Sequence, residues 1–544
     1  MRTWIAVSVV AACSVAVPPS PIVPLAAIYR FIGGQGPERG GNSAGQGTSA
    51  FAADRRERLA SAFADIDKIL ADYARSVHAP GAAWGIVIDG ELAHQGTAGV
   101  RDVRSKAPVD ADTVFRIASM TKSFTAMSIL KLRDEGKLSL DDPAERYVPE
   151  MKSLRYPTTD SPRITIRHLL THSEGFPEDN PWGDQQLSES EAELSRMLRS
   201  GIPFSNAPGV AYEYSNYGFA ILGRIVSRVS GLSYDDYVTR NILAPLGMAS
   251  TTLHPSKVAP NRLAIGYRWE DEQWKEEPAL PHGSFGAMGG MLTSVRDLSR
   301  YVGVLLEAWP PRDGPETGPV SRASLREMQQ PWRPSGTRVV LDKSTNATHL
   351  TSTSYGYGLS VTQTCQYRAV VAHGGGLPGY GSLMRWLPDY GVGIIAFGNV
   401  TYTGWNNAVG AAIDRLDRTG GLQRREVRPS AALVAARDDV SRLVAQWDDL
   451  LADRIAAENL FLDRSKDRRR KEIDDLRAKV GACAAPAKFD VVENALRGQW
   501  TMSCERGALQ VAITLAPTMP PGVQYMAIRP SPAQPPPAGP CVSF

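Results

Sequence analysis

Apolar positions recur at helical spacing over Leu59–Ala74, with charged residues between them. Ala82–Ile88 and Glu91–Gly96 then read as two short strands, joined at Asp89-Gly90, a hairpin signal. The pattern turns helical over Ser119–Gly136, which ends at a glycine stop, and again over Ile166–His172, Tyr217–Ser230, Tyr234–Ile242 and Val295–Glu307. Strands return at Gly358–Thr364, Arg368–His373, Gly381–Leu387 and Gly391–Gly398. Strands, then many helices, then strands predict an α/β (α+β) unit whose late strands rejoin the early ones in one sheet. Near residue 425 the pattern changes. Val440, Leu443, Val444, Trp447, Leu451 and Ile455 share one helical face, Asp463–Lys479 reads as a charged, solvated helix, and Trp500–Thr514 alternates like a strand pair. A small C-terminal α+β domain is expected over residues 425–544, with a Pro-rich tail from Pro530.

Composition narrows this picture. The chain has 544 residues, 22% of them charged and 43% hydrophobic, which is a globular balance. A formal net charge of +3 argues against a nucleic-acid partner, and no apolar run reaches the roughly 18 residues a membrane-spanning helix needs. Residues 1–17 read as a secretory signal, with Arg2 as the positive end and Trp4–Val10 as the apolar stretch. Val10-Ala11-Ala12-Cys13 resembles a lipoprotein cleavage site, which would put a lipid anchor on Cys13; Ser14-Val15-Ala16 suits ordinary signal peptidase. Either way the expectation is bacterial export, to the periplasm, an anchored position or the exterior. Residues 18–51 form a Gly/Pro-rich linker, and 52–424 the main domain. Export permits disulfides; Cys483 and Cys504 flank one small segment and are expected to pair. Neither Cys-x-x-Cys nor His-Glu-x-x-His occurs, so no metal or other cofactor is expected.

Three serine motifs compete for the role of nucleophile. Gly41-Asn42-Ser43-Ala44-Gly45 matches a nucleophile elbow, but it lies inside the Gly-rich linker with no strand before it and no helix after it. Ser-x-x-Lys occurs at Ser119–Lys122 and at Ser128–Lys131, and chance alone gives about one such match in this composition. Context separates them. Ser119 follows the strand-like Thr113–Ile117 and opens a helix, with Lys122 one turn on along the same face. Ser128 lies mid-helix, where its hydroxyl is expected to bond back to a carbonyl. A serine hydroxyl needs a base, and a lysine serves only when desolvation or a nearby cation lowers its pKa. Tyr214-Ser215-Asn216 is the sole Tyr-x-Asn; Tyr214, as phenolate or near it, would share the base role, and Asn216 would donate to a substrate amide. His373-Gly374-Gly375-Gly376 falls at a strand end, where glycines admit a substrate backbone and the Gly376 amide can join that of Ser119 in an oxyanion hole. His94-Gln95-Gly96 fits the same pattern but sits in the early hairpin and is set aside. His168 and His172 are four apart on one helix without an evident third ligand, so no metal is assigned to them.

Together these residues resemble the serine β-lactamase and penicillin-recognising enzyme family, in its branch of class C β-lactamases, D-Ala-D-Ala carboxypeptidases, D-aminopeptidases and family VIII esterases. The resemblance covers about Ala52–Ala412. It rests on Phe115–Lys122, Asp134–Leu138, Asp142-Pro143, Ile166–Gly175, Pro208-Gly209, Gly289–Met291, Thr293-Ser294 and His373–Ser382. It implies a β-lactamase-like antiparallel sheet flanked by helices, with an all-helical insertion region. It further implies Ser119 as the acylated nucleophile, Lys122 and Tyr214 as the proton-transfer pair, and Asn216, His373, Gly374 and Gly375 as substrate holders. A histidine stands where the family often has the lysine of Lys-Thr-Gly, so a group titrating near neutrality replaces a fixed ammonium, and β-lactamase activity is expected to be weak at most. The expected function is an exported serine hydrolase that cleaves peptides, D-residue-containing or linearised cyclic ones included. A small-ester hydrolase and a non-catalytic receptor on the same fold are the alternatives.

Overall fold

The computed structural model describes Phe51 and residues 54–316, 318–342, 347–485 and 488–531. The signal and linker expectations, Cys13, Ser43 and most of the Pro-rich tail lie outside these residues.

Nine strands form the main sheet: β1 (Gly81–Ile88), β2 (Glu91–Asp102), β3 (Ala107–Pro108), β4 (Arg333–Asp342), β5 (Ala347–Tyr355), β6 (Ser360–Gln363), β7 (Val370–Leu377), β8 (Tyr380–Leu387) and β9 (Val392–Gly398). Their order is β3-β2-β1-β9-β8-β7-β6-β5-β4, every neighbouring pair antiparallel. The late strands therefore do rejoin the early ones, with β1 beside β9. Both of these strands are buried at every position, as an apolar run in the sheet centre requires.

Helices cover both faces. On one face Phe63–Ser76 lays down Ile66, Leu70 and Ala74, and Asn406–Asp417 packs beside it, in a cluster with Trp84, Ile86 and Ile394. On the other face the core surrounds the helix Thr121–Asp134, which is buried from Thr121 through Leu130. That total burial requires neighbours on all sides: Asn216–Ser230 packs against it, and Tyr301 of Val295–Glu307 stacks on Phe124. The regular structure between β3 and β4 is chiefly helices, with two small ribbons, Phe115–Arg116 with Leu292–Thr293 and Tyr267–Glu270 with Gln273–Glu276.

Several boundaries move. Ser119 lies in a 3-10 turn, Ala118–Met120, ahead of the α-helix. Tyr234–Val238 passes into a π-turn at Thr239–Leu243. Strand β7 runs on through Gly374–Gly376 to Leu377, because β8 pairs with it over that whole length. The C-terminal segment holds its own core. Four strands, β10 (Val491–Asn494), β11 (Arg497–Cys504), β12 (Gly507–Leu515) and β13 (Val523–Pro530), form a sheet around Trp500, Val511 and Ile513, which packs with Val440, Leu443 and Ile473 from the helices Ala431–Ala445 and Lys466–Val480. Cys483 and Cys504 are disulfide-bonded.

Candidate active site

The site begins at a strained elbow. Ala118 has φ +47°, a left-handed conformation costly for any residue with a Cβ. The elbow is pinned on both sides: Thr121 Oγ1 donates to Ala118 O at 2.7 Å and accepts from Met291 N at 3.1 Å, while Ile117 N donates to Met291 O at 3.0 Å. The result sets Ser119, 9% exposed, at the helix start with its side chain toward Lys122.

Lys122 is fully buried. Its Nζ donates to Ser119 Oγ at 2.9 Å, to Asn216 Oδ1 at 2.6 Å and to Met288 O at 2.8 Å. Burial lowers its pKa from 10.5 to about 7, against the pull of Asp179 and Asp184. The amine is thus poised to release its proton near neutrality. Tyr214 hydrogen-bonds to Ser119, and its ring lies 4.8 Å from Lys122 Nζ. Burial pushes the Tyr214 hydroxyl well above its ordinary range, and only the Ser119 hydrogen bond pulls it back. The expectation of a phenolate is therefore corrected: desolvation favours the protonated hydroxyl of Tyr214, and the amine within hydrogen-bond reach of Ser119 is that of Lys122. With Lys122 as the base, the acid limb of the pH profile of kcat/KM is expected near pH 7; a limb below pH 5 would assign the base to another group.

Asn216 opens its helix under the cap of Ser215, and Asp179 accepts from the amides of Asn216 and Tyr217 at 2.7 and 2.8 Å. Its side chain is committed to neighbours: Oδ1 accepts from Lys122 and Nδ2 donates to Asn180 Oδ1 at 2.6 Å. It positions the lysine, a task its sequence context did not announce.

The third element comes from β7. It pairs with β8 residue for residue from Val371↔Trp386 to Leu377↔Tyr380, Gly374↔Leu383 and Gly376↔Gly381 included, and alternate residues of an antiparallel strand turn their amides to opposite sides, one toward β8 and the other away from it. On that side β6 ends opposite Ala372, which leaves an open strand edge. β7 packs on the Ser119 turn, and Ser382 Oγ of the neighbouring β8 donates to Ile117 O at 2.9 Å. His373 is 6% exposed: Nδ1 donates to Gly374 O at 2.6 Å and Nε2 accepts from the Tyr355 hydroxyl at 2.8 Å. Burial, with Lys122 nearby, lowers its pKa to about 3. The expected near-neutral titration is thus corrected, and the histidine is an uncharged strut.

Other residues fall away from the site or behind it. His94 bonds Asp67 and packs on Phe63. Ser128 Oγ donates to Phe124 O at 2.9 Å. His168 closes a capping box with Thr165, whereas His172 accepts from Ser215 N at 3.0 Å and packs on Tyr214 and Tyr355. Not found from the sequence were Asp179, Asn180, Asp184, Tyr355 and Tyr402. No short motif flags them, because each meets the site only through the tertiary fold.

Residues 66–419 match the family model described as Beta-lactamase, well over half of the chain. The chain belongs to the Beta-lactamase family. Its members are serine hydrolases of the β-lactamase and penicillin-binding type. Among curated relatives, "Protein flp" of Staphylococcus aureus (strain N315) is 32% identical over 243 residues, 44% of this chain and 47% of the relative. "Penicillin-binding protein 4*" of Bacillus subtilis (strain 168) is 25% identical over 327 residues, 57% of this chain and 66% of the relative. The chain thus spans about half the length of the first relative and 66% of the second. Two solved structures share the fold. One is the octameric penicillin-binding protein homologue from Pyrococcus abyssi, with TM-score 0.54 and 21% identity, covering 84% of this chain and 96% of that one. The other is a penicillin binding protein from Bacillus halodurans, with TM-score 0.51 and 23% identity, covering 64% and 99%. The family match spans Ser119, Lys122, Tyr214 and β7 and ends before the C-terminal sheet.

Proposed function

We propose that this chain is an exported serine hydrolase that cleaves peptide bonds through an acyl-enzyme on Ser119. One observation carries the reading: a fully buried amine, Lys122 Nζ, lies 2.9 Å from Ser119 Oγ with its pKa drawn down to about 7. Ser119 Oγ attacks the substrate carbonyl while neutral Lys122 takes its proton. The amides of Ser119 and Gly376 receive the developing oxyanion. The proton passes through Tyr214 to the leaving nitrogen, and the C–N bond breaks. Water then attacks the ester carbonyl, losing a proton to Lys122, and Ser119 is released with its hydrogen restored. Peptide is favoured over ester because an amine leaving group must be protonated, and Tyr214 is a hydroxyl that keeps its proton at neutral pH. The names of the Bacillus relatives fit a site that accepts acylating, peptide-like compounds. Export fits the Cys483–Cys504 disulfide, and a separate C-terminal domain from about residue 425 fits its separate core.

A matched alanyl peptide amide and p-nitrophenyl ester test this. Wild type is expected to cut both. Quenching during ester turnover should leave the acyl mass on the tryptic peptide Ile117–Lys122. An adduct mapping elsewhere would overturn the assignment of Ser119, and ester cleavage without amide cleavage would turn the reading to an esterase.

A further inference from the structure

The wall facing the β7 edge bears on which acyl group the site takes, given the acyl-enzyme reading above. Asp184 is 3% exposed: Oδ2 accepts from the Tyr402 hydroxyl at 3.0 Å, while Oδ1 accepts from no described residue and is not a buried atom, so it keeps contact with solvent. The neighbouring Gly183 lies so close to Asn216 that a Cβ there would come within 2.6 Å of the Asn216 Cβ, which fixes Asp184 beside the lysine-holding residue. Tyr402 comes from the opposite side. Its φ is +53°, and its ring lies against Gly376, where an added Cβ would meet Cδ1 at 2.6 Å. The Asp184–Tyr402 contact therefore runs from the Asn216 side of the site to the open strand edge.

The charges around this contact are one-sided. Asp179 and Asp184 both act on Lys122, and the lysine is committed to Ser119, Asn216 and Met288. His373, in the place of the family's lysine, has both ring nitrogens engaged. A substrate carboxylate here would meet Asp184 while Lys122 and His373 are both committed elsewhere, whereas an ammonium would give Asp184 Oδ1 a charge-assisted hydrogen bond in place of solvent.

We propose that Asp184, held in place by Tyr402, determines specificity for acyl groups bearing a cation, a free amine close to the scissile carbonyl, and disfavours acyl groups bearing a carboxylate.

The test uses the full chain and three p-nitroanilides of alanine, in both D and L forms: free amine, N-acetyl and N-succinyl. The assay runs at pH 7, where the α-amino group is mostly protonated. Wild type is expected to prefer the free amine to the succinyl compound by at least about tenfold in kcat/KM. Asp184→Asn should bring that ratio to within about threefold, chiefly by weakening the free amine. The ratio is taken within one preparation, so it does not depend on how much of a variant folds. Should Asp184→Asn not fold at all, Tyr402→Phe, at a half-exposed side chain, must lower the ratio by itself. A wild type that takes the succinyl compound as well as the free amine would overturn the inference and leave the acyl-enzyme reading standing. So would a ratio unchanged in both variants. Absence of turnover and of any Ser119 adduct with all six compounds would overturn both.

Discussion

Replacing Lys122 by methionine is expected to remove at least about a thousandfold of kcat/KM while leaving the protein as stable as wild type, or more so, at pH 6. The two halves of that expectation share one cause. Lys122 is a fully buried amine whose pKa falls from 10.5 to about 7. The fall corresponds to about 5 kcal/mol by which folding disfavours its protonated form. Below about pH 7 the unfolded and folded chains both hold that proton, and the whole cost is present. Between pH 7 and 10.5 the unfolded chain holds it and the folded chain does not, so stability rises with pH and the cost fades. Methionine fills a similar volume without a charge, so the variant escapes this cost. It leaves Asn216 Oδ1 and Met288 O without their donor, which offsets part of the gain. Thermal unfolding at pH 6 and pH 9.5 reads the difference: the variant should gain on wild type at pH 6 and lose that advantage at pH 9.5. Ser119→Ala, which keeps the lysine, should lose activity as severely and show the wild-type pH dependence of stability. Lys122→Met retaining more than a tenth of wild-type activity would remove lysine from the chemistry.

The parts of the site visible in the sequence are those whose geometry is local. Ser119 and Lys122 are one turn apart at a helix start, and that spacing alone puts them on one face. Tyr214 and Asn216 flank an N-cap serine, so their shared neighbourhood is also short-range. The glycine run was visible as a place for close approach, but its strand was cut short, because glycine is poor in strands and the pairing with β8 that overrides this is not written locally. The hairpin of β4 and β5 escaped notice for a related reason: both faces of β4 are largely exposed and it carries Pro334 and Gly336, so no alternation marks it. Protonation was least visible. Sequence gives the residue type of His373 and Tyr214, but their charge follows from burial, which only the packed fold supplies. Contacts such as Ser382 with Ile117 and Tyr402 with Asp184 join segments more than two hundred residues apart, and no short motif announces them.

Glycines 374, 375 and 376 look equivalent in the sequence, yet alanine is expected to act on them very differently. At Gly375 an added Cβ would lie 2.1 Å from Ile117 O and 2.5 Å from Ser382 Oγ. The first of these is backbone, two residues before Ser119 and part of the pinned elbow, so it cannot swing aside. Gly375→Ala must therefore push β7 away from the nucleophile turn. The expected cost is about 1–3 kcal/mol of stability and about a hundredfold or more in kcat/KM, because a shift of order 1 Å between strand edge and nucleophile spoils the reacting geometry. At Gly376 the Cβ would meet Tyr402 Cδ1 at 2.6 Å, on the ring of a side chain that is 46% exposed and has room to rotate. At Gly374 the nearest atom is 3.7 Å away, an ordinary contact. Thermal unfolding of the three alanine variants should thus rank Gly375→Ala lowest, Gly376→Ala between, and Gly374→Ala near wild type. The ranking tests whether β7 is seated on the Ile117–Ser119 segment at all. If Gly375→Ala melts with Gly374→Ala, the strand has slack against the elbow, and the open edge is not held at the distance from Ser119 that an oxyanion site requires.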